Sequence, residues 1–178
     1  MKRDFLSKPF KIPVNRLYLH KDQKLAAEAH GAVSMKKDIR FKIDELAHKY
    51  SLSIIYVFGS RAREVVDTVN GVTPKLIQKQ GGSDIDIALL PFKLLSIDQK
   101  VMIATEFEDL FGAHRVDVVV LPETSPFLAY EAVTGELLYA RDADEEAKYQ
   151  LYIINRAADL FPHQKDRFNI LLEKTRAL

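Results

Sequence analysis

Asp84 and Asp86, two apart in the segment DIDIALL at 84–90, are the side chains of this sequence with the clearest capacity for chemistry. In an extended chain alternate side chains share a face, so both carboxylates are predicted to point one way and Ile85 and Ile87 the other. Two like charges set among apolar neighbours are costly unless a cation neutralises them, and hard oxygen donors suit Mg²⁺. Taken alone, such a pair is more often an exposed strand end than a site.

Two further features change that balance. Gly59-Ser60 ends the apolar run SIIYVF at 53–58 and opens a stretch in which Ala62, Val65, Val66 and Val69 recur at helical spacing. At such a strand-to-helix turn the free N–H groups and the helix dipole attract an anion, glycine permits its close approach, and the serine hydroxyl adds a donor. Arg61 and Arg63 follow directly and bring positive charge to the place a triphosphate would occupy, although a solvated helix face explains them equally well. Asp117 interrupts RVDVVVL at 115–121, where an unpaired carboxylate would be expensive. A buried salt bridge to Arg115 or Lys42 is its structural alternative.

The elements that must position these groups follow from periodicity and punctuation. Ser34 is expected to cap a helix over 35–50 whose buried face is Ile39, Ile43, Leu46, Ala47 and Tyr50. The β-branched and aromatic run at 53–58 reads as a covered strand. A helix from Ser60 to near Gly71 is preferred over a hairpin turning at Asn70-Gly71, and a loop over 72–83 ends in Gly82 and Ser83. Strand 84–90 is closed by Pro91. Ser96 caps a helix with Ile103, Phe107, Leu110 and Phe111 on one face and Gly112 as its stop, and 115–121 forms the third strand. Ser125-Pro126 starts a helix ending at Gly135, and LLYA is a candidate fourth strand. Acidic residues from Asp142 to Glu146 open a last helix with Leu151, Ile154, Ala158 and Phe161 as its predicted buried stripe, which Pro162 should kink or divide.

The chain of 178 residues, 47% of them hydrophobic, has the size and composition of one main globular domain. It contains no run of about 18 apolar residues that could span a membrane, and its first residues lack a secretory apolar core, so a cytoplasmic location is expected. The absence of cysteine excludes disulfides and thiolate metal sites. A net charge of +1 argues against extensive nucleic-acid binding. The first thirty residues nevertheless hold seven Lys or Arg against three Asp or Glu, read chiefly as a solvated basic arm. The expected organisation is therefore an arm over 1–33, a domain over 34–141 and a helical extension over 142–178. Histidines at 20, 30, 48, 114 and 163 are too scattered for a zinc site, and Tyr56, Tyr130, Tyr139, Tyr149 and Tyr152 read as core-edge packing.

FGSRAR at 58–63, SDIDIALL at 83–90 and VDVVVL at 116–121, in this order, resemble the signature of the DNA polymerase β nucleotidyltransferase superfamily. The likeness is greatest to its small MNT-type members, among them antitoxins paired with HEPN toxins. It covers roughly residues 35–140 and implies an α/β (α+β) fold with a small mixed sheet flanked by helices, here with a helical C-terminal tail. It further implies transfer of an NMP, AMP from ATP or another NTP, to a hydroxyl acceptor, with two Mg²⁺ ions and release of pyrophosphate. By the same resemblance Asp84 and Asp86 would ligate both metals. Asp117 would ligate one or orient the attacking hydroxyl, and Gly59 and Ser60, with Arg61, Arg63 and Ser83 beside them, would bind phosphates. A partner toxin is the implied acceptor; a non-catalytic antitoxin-like module and an aminoglycoside-type enzyme are the alternatives. One departure is the interval 61–83, longer than small members usually have, in which Lys75 and Lys79 could meet phosphate or a partner. Doubling a loop adds only about 0.6 kcal/mol to its closure, so the insertion is compatible with an intact site.

Overall fold

A computed structural model of the chain describes residues 32–73 and 83–176. Residues 1–31 of the arm expected over 1–33, and Lys75 and Lys79, lie outside the described residues, while residues 32 and 33 are helical.

The strongest apolar run becomes the centre of the sheet. β1 (Leu52–Phe58) is buried at every position because it has a strand on each edge and helices on each face, the environment in which strands read as continuous hydrophobic runs. The four strands lie in the order β3-β2-β1-β4. β2 (Ile85–Pro91) and β4 (Glu136–Ala140) run antiparallel to β1, while β3 (Val116–Val120) runs parallel to β2. The sheet is therefore mixed. The parallel β2–β3 pair requires a crossover, supplied by the helix Ile97–Phe111.

Alternation along the strands divides the core. Ile55, Val57, Ile85, Ile87, Leu89 and Val116 face the helices α1 (Ala32–Lys49), α2 (Ala62–Val69) and α3 (Ile97–Phe111). Ile54, Tyr56, Phe58 and Ala88 face α4 (Pro126–Thr134) and the first half of α5 (Ala143–Arg176). Helix ends follow their caps: Ser96 accepts from the Gln99 backbone while the Gln99 side chain returns to the Ser96 N–H, and Ser125 accepts from the Leu128 N–H. Gly135 lets α4 meet the sheet closely, since a Cβ there would lie 2.6 Å from the Val57 carbonyl oxygen.

Three expectations are corrected. Helix α1 begins at Ala32, so Ser34 lies in its first turns rather than before them; a favourable helix former ahead of a serine can extend the helix past a potential cap. Helix α5 is not divided at Pro162 but continues through it, because proline removes one ladder hydrogen bond yet keeps a helical φ. Its buried stripe is also turned from the expected one: Ile153, Ala157 and Glu146 are buried and Ile154 is half-buried against the core as expected, whereas Leu151, Ala158 and Phe161 are exposed. A shift of one residue rotates a helix face by about 100°, and a polar anchor selects the rotation. The Tyr56 hydroxyl, fully buried in β1, donates to Glu146 Oε1 at 2.5 Å, and Glu146 is only 3% exposed.

That bond yields a stability prediction. Tyr56→Phe leaves the buried Glu146 carboxylate without this donor and is expected to destabilise the protein by about 1–3 kcal/mol, read as a lower urea midpoint at unchanged m-value. An unchanged midpoint would show that the bond contributes nothing net.

Candidate active site

The turn after β1 and the starts of β2 and β3 meet at one end of the sheet, and the signature residues meet with them. Asp86 lies opposite Phe58 on one side and opposite Asp117 on the other. Both aspartates have the strand parity of Ala88, so they share the α4–α5 face of the sheet at its open end. Asp84 is one residue outside β2, which starts at Ile85 and not at Asp84 as expected. The pairing still reaches it, since the Ile85 N–H donates to the Arg115 carbonyl at 3.3 Å and aligns the two strand entrances.

Charge is only partly compensated here. Arg115 Nε donates to Asp117 Oδ1 at 3.0 Å and lies 3.6 Å from Asp84 Oδ2. Burial, followed by the negative charges of Asp117 and Asp84, raises the pKa of Asp86 above the ordinary carboxylate range. Asp117 was expected to be costly within an apolar strand. It is instead 44% exposed, because it sits near the start of an edge strand. Its pairing with Arg115 was the structural alternative, and it occurs at the surface rather than in the core.

The glycine-serine turn is placed against these carboxylates. Gly59 has φ +76°, in the left-handed region that favours glycine, and a Cβ added there would run into the Asp86 carboxylate. Ser60 is exposed, and its Oγ lies 2.7 Å from Ser83 Oγ. The long interval between them is thereby closed at its base, with α2 occupying its first part. Helix α2 starts at Ala62 with Arg61 at its cap, so Ser60 belongs to the turn rather than to the helix, and the hairpin alternative at Asn70-Gly71 does not form. Arg61 donates from Nε and Nη2 to Glu64 at 3.0 and 3.2 Å and from Nη1 to the Ser83 carbonyl at 3.4 Å. Its charge is thus committed mainly to Glu64 and to bracing the turn, while Arg63 is exposed on α2.

Sequence reasoning missed two roles: the double reach of Arg115 and the neutralisation of Arg61 by Glu64. The i, i+3 spacing of Arg61 and Glu64 was an available signal. Nothing local marked Arg115 as a neighbour of Asp84. A cavity of about 720 Å³ lies elsewhere, between α1 and α3, lined by Phe41, Leu46, Lys49 and Glu106 among others. There Lys49 and the Tyr50 hydroxyl both donate to Glu106 at 2.6 Å, tying α1 to α3. None of the signature residues lines it.

A mixed four-stranded sheet with acidic residues at the entrances of two parallel strands and a glycine-serine turn beside them defines a nucleotidyltransferase-type fold. The chain belongs to the polymerase beta nucleotidyltransferase family, whose model matches residues 42–144. Among solved structures it is similar to a chain of a mutant MntA–HpeT toxin–antitoxin complex, at TM-score 0.58 and 20% identity over 75% of this chain and 98% of that one. A toxin–antitoxin structure with AMP-PNP matches at TM-score 0.58 and 22% identity, again over 75% and 98% of the two chains. A chain from the complex of tri-AMPylated Shewanella oneidensis HEPN toxin with MNT antitoxin matches at TM-score 0.56 and 20% identity, over 78% and 99%. At these identities the likeness is one of fold. No curated protein matches the chain in sequence. Among the described residues no helix is long and apolar enough to cross a membrane.

Proposed function

We propose that this protein transfers AMP from ATP to a hydroxyl on a partner protein of the HEPN-toxin kind, as the antitoxin of a toxin–antitoxin pair. The acceptor oxygen would bond to the α-phosphorus as the bond from that phosphorus to the pyrophosphate oxygen breaks. The observation that carries this reading is the meeting of Asp84, Asp86 and Asp117 beside the Gly59-Ser60 turn. The choice of nucleotide and partner is supported by the neighbours' contents: AMP-PNP in one, an AMPylated HEPN toxin with its MNT antitoxin in another.

The donor set fits a hard divalent cation. Its ligands would be carboxylate oxygens, and burial, followed by the charges of Asp117 and Asp84, disfavours the ionised Asp86 carboxylate in a way that a cation would relieve. Among the described residues no three acidic or histidine side chains already form a closed metal-holding group. Asp84 and Asp86 would hold Mg²⁺, with Asp117 either sharing it or orienting the acceptor hydroxyl. When bound, Mg²⁺ would supply Lewis-acid stabilisation of the transferring phosphoryl group and of the leaving pyrophosphate.

The chain's own groups do the positioning. The turn at Gly59 and Ser60 offers backbone N–H groups and a hydroxyl to the phosphates, Ser83 adds a second hydroxyl 2.7 Å from the first, and Arg63 is exposed to approach the same charge. Incubation with α-labelled ATP, Mg²⁺ and a lysate containing the protein encoded beside it is expected to label one acceptor protein, with labelling lost for Asp84→Ala. Equal labelling by wild type and variant, or none by either, would reject catalysis. Neutralisation of the partner that persisted without labelling would assign the protein to binding alone.

A further inference from the structure

We infer that Arg115 is an internal competitor for the divalent cation: its guanidinium clamps Asp84 and Asp117 in the metal-free protein and must withdraw from them as the metal binds. The inference rests on the nucleotidyl-transfer reading above and adds to it a residue that sets the metal requirement. One nitrogen, Nε, serves two carboxylates from separate segments, hydrogen-bonding Asp117 at 3.0 Å and standing 3.6 Å from Asp84. Those are two of the three signature carboxylates, and their oxygens are the ones a metal would need. The base of Arg115 is fixed, because its carbonyl accepts from the Ile85 N–H. Its head is mobile in principle, because the side chain is 61% exposed and has solvent to swing into.

An arginine cannot relieve the competition by losing its proton, so it can only be displaced. Displacement is feasible at this exposure, where ion pairs are weak and screened. The clamp therefore offsets metal binding modestly and partly compensates the acidic entrance in the metal's place.

The test is direct binding of Mn²⁺ alone to the full chain, followed by calorimetry and by the electron-spin resonance signal of free Mn²⁺. Arg115→Gln is expected to bind Mn²⁺ about three- to fivefold more tightly than wild type, the range an exposed ion pair can supply. Arg115→Lys, which keeps a cation on the same stem base, should stay within about twofold of wild type. Circular dichroism checks each fold, and Arg115→Met, which retains an aliphatic stem, takes the place of the Gln variant if that one folds poorly. Unchanged or weaker Mn²⁺ affinity on removing the charge overturns the inference, the weaker case making Arg115 an orienter of the carboxylates. A different outcome defeats the underlying reading: no Mn²⁺ binding by wild type that Asp84→Asn with Asp86→Asn removes. In that case the inference falls with it.

Discussion

Asp86→Asn is expected to lower AMP transfer about a thousandfold, the scale lost when a group placed at developing transition-state charge is removed, without lowering the stability of the metal-free protein. Asp86 is the central carboxylate, in register with Asp117 on β3 and across from Phe58 on β1. Stability should move oppositely to activity because burial and the charges of Asp117 and Asp84 all disfavour the ionised carboxylate. A carboxyl whose folded pKa is raised takes up its proton more readily folded than unfolded, so its ionisation destabilises the fold as pH rises through the ordinary carboxylate range and just above. The neutral amide removes that penalty. The Asn variant should therefore melt at or above the wild-type temperature at neutral pH without metal, and the difference should shrink as pH falls and wild-type Asp86 protonates. Thermal melts at several pH values and initial rates of label transfer measure both halves. Retained transfer would remove Asp86 from the site, and a lower melting temperature at neutral pH would show that burial and repulsion do not disfavour its charge.

Gly59→Ala is expected to lower transfer about a hundredfold, as follows from a misplacement of order 1 Å in a reacting constellation, and to destabilise the protein by about 1–3 kcal/mol. Two causes act together. The backbone at Gly59 has φ +76°, and an added Cβ would meet the Asp86 carboxylate. The conflict is therefore with the proposed metal-binding side chain itself: either Asp86 turns away or the turn moves, and each separates the carboxylate from the proposed phosphate turn. Urea unfolding gives the stability change and saturating-ATP kinetics give the transfer change. A variant with wild-type turnover would mean that neither the turn nor Asp86 needs its observed position.

Much of the site was legible because its signals are local. Strand alternation placed Asp86 opposite in direction to Ile85 and Ile87, and those isoleucines are fully buried on the α1–α3 side. Capping chemistry located α3 and α4 at Ser96 and Ser125, where the side chains make the expected bonds. The α5 stripe was misread for an equally physical reason. Leu151 and Phe161 fit helical spacing with Ile154, which does pack against the core, but the orientation is set by the buried bond between Tyr56 and Glu146, two residues ninety positions apart.

The sequence by itself determined the elements, their order, the parity of the strands and the acidic and glycine-serine residues available for chemistry, because each depends on neighbours within a turn or a strand. Only the tertiary structure decided that β2 would lie between an antiparallel β1 and a parallel β3, bringing Asp86 and Asp117 into register. It also decided that Ser60 and Ser83 would close the long interval and that Arg115 would stand between Asp84 and Asp117. Those contacts join segments whose approach is set by strand pairing and by burial of both sheet faces, free-energy terms that belong to the whole fold and are written in no single stretch of it.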